Sequence, residues 1–145
     1  MTRYIYTTIC CLILSACNKL PKNGDLDGMW QITYIEHNGI ITNVKNYRLY
    51  ISFQLDLFQL TSAQNDKIYY GYFNRENDNI IFKQISDMAE EHPDIPDNYP
   101  ITQENISLIK PWGFYVLQDT FNIEKITKEI MILRSKYAHI SYRKF

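Results

Sequence analysis

The sequence predicts an all-β domain of eight or nine antiparallel strands that closes into a barrel or packs as a sandwich. Apolar and polar residues alternate along short segments, and turn-forming residues separate these segments about every ten residues. Alternation with a period of two places one face of each strand in the core and the other in water. An antiparallel architecture with one buried face per strand follows from these two observations.

Each predicted strand ends at residues that favour turns. Asn38-Gly39 follows the first strand, and polar segments over residues 63–66 and 75–78 separate later ones, as in tight hairpins. A ninth, shorter strand is expected at residues 114–117. The eight main strands are predicted at residues 29–36, 47–53, 55–61, 67–74, 79–85, 120–126, 129–135 and 138–144.

The first strand has an unbroken alternation. Trp30, Ile32 and Tyr34 lie on one face, with Gln31 and Thr33 on the other, so the first set is expected to face the barrel interior. A slip of one residue would turn this whole set to water, and the register should therefore be tightly fixed.

The strand over residues 67–74 is rich in aromatic residues. Gly71 inside it predicts a bulge or a close backbone approach. Tyrosine offers apolar area with a polar tip, which suits amphiphiles or sugars, so Tyr34, Tyr70 and Tyr72 are the candidate ligand contacts. Alternatively, these rings fill the core and cover the outside of a small barrel.

The segment over residues 86–100 is polar and acidic and contains three prolines. Several carboxylates can bind calcium, but their spacing follows no calcium-loop pattern, so a solvated loop is expected. Thr102 then provides an N-cap for one short helix near residues 103–109, which Pro111 ends. This helix is expected to shield one rim of the barrel.

The first 17 residues predict export and lipid attachment. Arg3 precedes an uncharged, mostly apolar stretch that is too short to remain as a membrane span, which is typical of a signal peptide over residues 1–16. Leu14-Ser15-Ala16-Cys17 resembles the bacterial lipobox, so Cys17 is the expected lipidation site; the alternative is an ordinary signal peptide with a cysteine beside the cut. The protein is then expected in the bacterial cell envelope, anchored by its lipid to the outer membrane.

Cleavage after Ala16 leaves 129 of the 145 residues, a single-domain length. Residues 17–27 form the lipidated N-terminus and tether, and residues 28–145 form the barrel domain. Cys10 and Cys11 leave with the signal peptide and the thiol of Cys17 carries the lipid, so the mature chain is expected to have no disulfide and no cysteine metal ligand. Its 14 basic and 16 acidic residues give no positive surplus for binding nucleic acid.

No motif in the sequence predicts catalysis. Glu90-Glu91-His92 places carboxylates beside an imidazole, but adjacent residues in a proline-rich loop do not hold each other in a fixed geometry. The other histidines, His37 and His139, are far apart in the chain, which argues against a zinc site. No serine elbow and no glycine-rich phosphate loop occur. We therefore expect no catalytic residue, no metal and no cofactor.

The segment Gly28-Met29-Trp30 resembles the Gly-x-Trp element that opens the first barrel strand of lipocalins. Residues 26–145 are similar to the lipocalin-like domains of small lipoproteins from Gram-negative bacteria. The resemblance implies that Trp30 packs across one end of the barrel and that an arginine of the last strand, by position Arg143, lies over it. The alternation of the last strand instead places Arg143 on the outer face. The likeness also includes Phe53-Gln54, Tyr70-Gly71-Tyr72-Phe73 and three segments within residues 121–127, 131–135 and 142–145.

The resemblance implies binding of small apolar ligands. We expect a membrane-anchored, non-catalytic protein that binds a small amphiphile in the barrel or a partner at its rim. One alternative is a protein-interaction or envelope-assembly module whose barrel is filled by its own side chains; another is an unrecognised hydrolase. An eight-stranded barrel either fills with side chains or holds one small ligand, so its interior separates the first two hypotheses. Converging polar groups in a cleft would indicate an enzyme.

Overall fold

The computed structural model describes residues 22–88 and 99–145, which form a closed antiparallel barrel. Eight strands make the ring, and the pairing of the first strand with the last closes it. Two short strands lie outside this ring: the second pairs with the first strand, and the seventh pairs with the sixth. In chain order the strands are β1 (Gly28–His37), β2 (Ile40–Asn43), β3 (Leu49–Gln54), β4 (Leu57–Ser62), β5 (Asn65–Glu76), β6 (Asn79–Asp87), β7 (Tyr99–Pro100), β8 (Thr120–Ile126), β9 (Ile130–Arg134) and β10 (His139–Lys144).

The all-β fold class and the eight predicted barrel strands are confirmed. The additional strands are β2 and β7, and not residues 114–117, where Phe114 is buried in the core. β2 was not predicted because all four of its residues are exposed, so its sequence does not alternate between apolar and polar residues. The predicted signal peptide, Cys17 and most of the acidic loop, including Glu90-Glu91-His92, lie outside the described residues.

The predicted turn at Asn38-Gly39 is confirmed. Both residues have positive φ, 51° and 75°, which is the conformation of the tight two-residue turns that match the twist of antiparallel strands. The prediction for Gly71 is also confirmed. A Cβ atom at Gly71 would lie 2.7 Å from the carbonyl oxygen of Lys83, and the pairing of β5 with β6 shifts at this position.

A bulge in β1 changes which side chains face inward. The pairing with β10 shifts between Ile32 and Tyr34, and Thr33 is the additional residue. Beyond the bulge Ile35 continues the buried row that Trp30 and Ile32 begin. The expectation that Tyr34 faces the interior is wrong, because the bulge reverses the alternation and leaves Tyr34 exposed on the outer surface.

The segment that precedes β1 closes one end of the barrel. A 3₁₀ turn at Gly24–Leu26 brings Leu26 into the core, and the indole Nε1 of Trp30 donates a hydrogen bond of 2.9 Å to the carbonyl oxygen of Leu26. Both side chains are fully buried. Trp30 therefore lies across this end, which we call the closed end.

The residue that covers Trp30 is Lys144 and not Arg143. The Nζ atom of Lys144 lies 4.2 Å from the centroid of the Trp30 ring. Arg143 is exposed, and its Nε donates a hydrogen bond of 2.7 Å to Oε1 of Gln31. The expected packing of Arg143 over Trp30 is corrected, because alternation along β10 turns Arg143 outward and Lys144 inward.

Aromatic side chains fill the middle of the barrel. Neighbouring ring centroids lie 4.8–6.1 Å apart, and most pairs meet edge to face, as aromatic quadrupoles favour. The interior is thus occupied by the protein's own side chains. The central rings are Phe53, Phe58, Phe82, Phe114 and Phe121.

Residues 101–119, which we call the rim segment, fold over the opposite end of the barrel. In place of the single helix expected near residues 103–109, the segment has two 3₁₀ turns, at Ile106–Leu108 and Lys110–Trp112. The backbone N–H of Thr102 donates to Asn105 Oδ1 at 2.6 Å, so Thr102 does not cap a helix, and Pro111 lies within the second turn. Of the described helical turns, none is long and apolar enough to cross a membrane.

Candidate functional site

A cleft of about 610 Å³ opens at the rim, where β3 begins and β4 turns into β5. This is the opposite end from Gly28, which pairs with Phe53 near the end of β3. The rim segment forms one wall, and the β4–β5 turn forms the other. We call this site the rim cleft; its lining residues are Val44, Tyr47, Leu49, Ser62, Gln64, Asn65, Lys67, Tyr69, Ser107, Leu108, Pro111 and Trp112.

The apolar wall of the rim cleft is built on Trp112. Its indole Nε1 donates a hydrogen bond of 3.1 Å to the carbonyl oxygen of Thr61, and its ring packs edge to face against Tyr69 with centroids 5.6 Å apart. Both rings are buried, so they form the rigid part of this wall. Tyr47 and Leu108 are exposed beside them and present accessible apolar area.

The other edge of the rim cleft is polar. Gln64 Nε2 donates to the carbonyl oxygen of Asn46 at 3.0 Å, which ties the β4–β5 turn to the segment before β3. Lys67 Nζ lies 3.6 Å from Asp87 Oδ2; the Asp87 side chain is largely buried, whereas the Lys67 side chain is 60% exposed, so its amine is accessible. Burial, and secondly the charge of Asp87, raise the pKa of Tyr69, so its hydroxyl stays protonated.

A second cleft of about 280 Å³ lies on the other side of the rim segment. It shares Val44 and Pro111 with the rim cleft and is bordered by His37 and Tyr115, whose rings stack at 3.6 Å. The ring nitrogen Nδ1 of His37 lies 2.6 Å from the carbonyl oxygen of Tyr137, so this nitrogen carries the proton and donates. Burial raises the pKa of Tyr115.

The structure does not bring the predicted ligand contacts together. Tyr34 lies on the outer face of β1, with Lys45 Nζ 5.0 Å from its ring centroid. Tyr70 and Tyr72 lie on the outer face of β5, and neither lines the rim cleft. The sequence analysis missed Tyr47 and Trp112, although Trp112 between a proline and a glycine was an available signal for a buried turn.

The described histidines take part in structural contacts. His139 lies between Glu124, at 2.9 Å, and Glu36, at 3.4 Å, and Arg134 bonds to Glu124 on the same outer surface. The hydrogen bond from Arg134 is the main reason that the pKa of Glu124 is lowered. Within residues 22–88 and 99–145, no three His, Cys, Asp or Glu residues are grouped to hold a metal ion.

One carboxylate is buried near the start of β8. Asp119 is 5% exposed, and its Oδ1 accepts a hydrogen bond of 2.9 Å from the backbone N–H of Thr120. Burial raises the pKa of Asp119, because desolvation penalises the charged form. It does not line the rim cleft, so its contacts belong to the framework of the barrel.

Comparisons with known proteins agree with this architecture. A family model described as a lipocalin-like domain matches residues 12–145. Two solved structures superpose on this chain with a TM-score of 0.60 at 18% identity. One is an uncharacterized protein from Bacteroides eggerthii DSM 20697, and the match covers 83% of this chain and 99% of that one. The other is a lipocalin-like protein from Bacteroides uniformis ATCC 8492, and the match covers 84% of this chain and 100% of that one. A protein from Burkholderia xenovorans superposes with a TM-score of 0.53 at 10% identity over 83% of each chain. None of the curated proteins matches this chain.

Proposed function

We propose that this chain, which belongs to the family of lipocalin-like domains, is a lipid-anchored, non-catalytic binding protein of the bacterial cell envelope. Its ligand is a small amphiphile that binds in the rim cleft. The observation that carries this proposal is the combination of a barrel filled by aromatic side chains with an open cleft at its rim.

The position of the cleft favours the rim over the barrel interior. Fully buried phenylalanines occupy the space in which an eight-stranded barrel would otherwise hold a ligand. Pockets for small molecules typically have volumes of about 300–1,000 Å³, and the rim cleft, at about 610 Å³, falls within that range.

The lining of the cleft indicates an amphiphile. An apolar body would lie against Tyr47, Leu108 and Trp112, where two accessible side chains flank a fixed indole. A polar or acidic head would reach Lys67 and Gln64 on the opposite edge. Aromatic walls with polar tips suit such ligands, because one surface binds both parts of the molecule.

The anchor is proposed from the sequence alone. Leu14-Ser15-Ala16-Cys17 has the form of a lipobox, and two or three acyl chains hold a protein stably on a bilayer, whereas one does not. The outer membrane is the proposed location. Replacement of Cys17 by Ala should abolish labelling of the chain by a palmitate analogue, and persistent labelling of this variant would refute the anchor.

The binding site is tested by titrating the full chain with a fluorescent fatty acid. Tyr47→Ala should weaken binding about tenfold, the equivalent of one lost aromatic contact of about 1.4 kcal/mol. Tyr72→Ala is the matched control, because Tyr72 is 49% exposed and Tyr47 is 52% exposed, but Tyr72 lies outside the cleft. Equal affinities for the two variants, or weakening by Tyr72→Ala alone, would contradict the rim cleft as the ligand site.

A protein partner at the rim is the second candidate function. The observation that favours it is β2, which pairs with β1 on one edge and exposes Ile40 and Ile41 to solvent. Exposed edge strands offer unpaired backbone groups to another chain. A wild-type protein that binds no amphiphile, together with its filled interior, would make an interaction module the better hypothesis.

A further inference from the structure

We propose that the outer face of β4 and β5 near the closed end docks onto the bilayer surface to which the chain is anchored. The proposal rests on the proposed function in one respect, which is the lipid on Cys17. It assigns the docking to a described surface that we call the β4 face. Its residues are Leu55, Leu57, Tyr70, Tyr72 and Met88.

The β4 face is apolar where alternation predicts polar residues. Leu57 and Tyr72 are cross-strand partners on the outside of the barrel, and both are exposed. Tyr70 and Met88 border a groove of about 300 Å³ beside Leu57. Leu55, at the tip of the β3–β4 turn, is also exposed. Ser52, Gln54 and Gln59 line the same groove, so the surface is amphipathic. A cluster of exposed apolar side chains on an outer strand face marks an interaction surface, and tyrosine is enriched at membrane interfaces.

The start of the described chain lies beside this face. The Nζ atom of Lys22 pairs with Asp56, which stands between Leu55 and Leu57 in the β3–β4 turn. Cys17 precedes Lys22 by five residues, which span at most about 18 Å when fully extended. A lipid on Cys17 therefore holds this turn close to the bilayer, whereas the rim cleft, at the other end of β3 and β4, faces away from it.

Positive charges border the β4 face. Lys83 is exposed and is the cross-strand partner of Tyr72. Arg75 is exposed at the closed end, where its guanidinium donates to the carbonyl oxygen of Asn23 at 3.2 Å. Long basic side chains can lie along apolar surface while their charged groups reach lipid phosphates. The surface thus fits a bilayer that contains anionic phospholipid.

The size of the β4 face favours a bilayer over a second copy of the chain. Five partly exposed side chains offer on the order of 500 Å², whereas a stable protein interface buries about 800 Å² on each partner. A bilayer does not require that area, because the lipid anchor already holds the chain at the surface.

The test places a tryptophan on each end of the barrel. Tyr72→Trp and Tyr47→Trp are matched by exposure, at 49% and 52%, and share the same background from Trp30 and Trp112. The full chain is reconstituted in vesicles of phosphatidylethanolamine and phosphatidylglycerol that carry bromine on the upper acyl chain. The added emission of Tyr72→Trp should fall by about half, since interfacial side chains reach ~5–10 Å into the boundary between headgroups and acyl chains. That of Tyr47→Trp should be unchanged.

Second variants separate docking from a change of fold. In the Tyr72→Trp chain, Leu57→Glu should restore the emission, whereas Leu108→Glu should leave the quenching intact; Leu57 and Leu108 are 43% and 40% exposed. Equal quenching at both ends, or none at Tyr72→Trp, would overturn the proposal. Absent quenching together with cross-linked dimers that Leu57→Glu removes would instead assign the face to a second copy.

The mass of the intact protein reports lipid attachment independently of quenching. A lipidated chain without quenching refutes the docking alone. A chain without lipid refutes the proposed anchor and, with it, docking onto the bilayer to which the chain is anchored.

Discussion

The two ends of the barrel are each closed around a buried tryptophan, but the chain closes them by different means. At the closed end, Trp30 donates its indole hydrogen bond to Leu26, four residues earlier. At the rim, Trp112 donates to Thr61, 51 residues away. The first contact is local and forms together with β1, whereas the second requires β4 and the rim segment to be assembled. Only the hydrogen bond at the closed end therefore joins residues that are close in the sequence.

The difference extends to what each end can do. Leu26 and Trp30 are fully buried at the closed end, and Lys144 lies over the Trp30 ring. The rim segment leaves a cleft on each side of Pro111. We therefore expect substitutions at the closed end to cost more stability, and substitutions at the rim to affect the proposed binding.

The largest expected effect comes from removing the two tryptophans. Trp30→Ala should lower the free energy of unfolding by about 5 kcal/mol, at the upper end of the range for large core truncations, because its neighbours cannot collapse into the gap. Trp112→Ala should cost about 3 kcal/mol, since the rim segment can shift toward the space. Denaturant titrations of both variants measure the difference, and a larger loss for Trp112→Ala would reverse the comparison.

Two glycines, Gly24 before β1 and Gly113 in the rim segment, allow the packing at the two ends of the barrel to be compared. Gly113 and Gly24 both have positive φ, at 89° and 60°. A Cβ atom at Gly113 would clash with Ile140 Cδ1, whereas nothing lies within 4 Å of one at Gly24. Gly24→Ala should cost about 1 kcal/mol through its backbone conformation alone. Gly113→Ala should cost about 2–4 kcal/mol, with overpacking added.

Unfolding of both glycine variants by denaturant gives the two free energies. Equal losses of unfolding free energy for the two variants would show that the rim segment shifts to accommodate the added methyl group as readily as the chain before β1 does. In that case Ile140 would not be fixed against Gly113, and the packing of the rim segment would contribute little to its position.

The smallest effect distinguishes the residues next to Trp30. Lys144→Ala should cost about 0.5–2 kcal/mol, the range for a cation over an indole. Burial lowers the pKa of Lys144 despite the nearby Asp25 and Asp27, so desolvation offsets part of that gain. Arg143→Ala, on the exposed face, should stay within about 0.5 kcal/mol. Thermal melts of the two variants, with tryptophan emission as the probe, test this order, and a larger loss for Arg143→Ala would contradict the greater contribution of Lys144.

By itself the sequence determined the all-β class and the positions of the strands, and left a barrel and a sandwich as alternatives. Alternation along eight segments predicted the barrel strands, Asn38-Gly39 predicted the first turn, and Gly71 predicted a close backbone approach. Each of these signals is local, because strand periodicity and turn conformation depend on a few adjacent residues. Alternation placed Trp30 on the inward face, whereas its position at the end of the barrel was expected from the resemblance of Gly28-Met29-Trp30 to the first strand of lipocalins.

Only the tertiary structure decided which side chains meet. The bulge at Thr33 turns Tyr34 outward, and no residue near it in the sequence signals the shift, since the extra residue is set by pairing with β10, more than 100 residues away. Lys144 reaches Trp30 through the same pairing. The rim cleft requires Tyr47, Tyr69 and Trp112 to converge from three separate segments. Such contacts are long-range, and their geometry exists only after the barrel has closed.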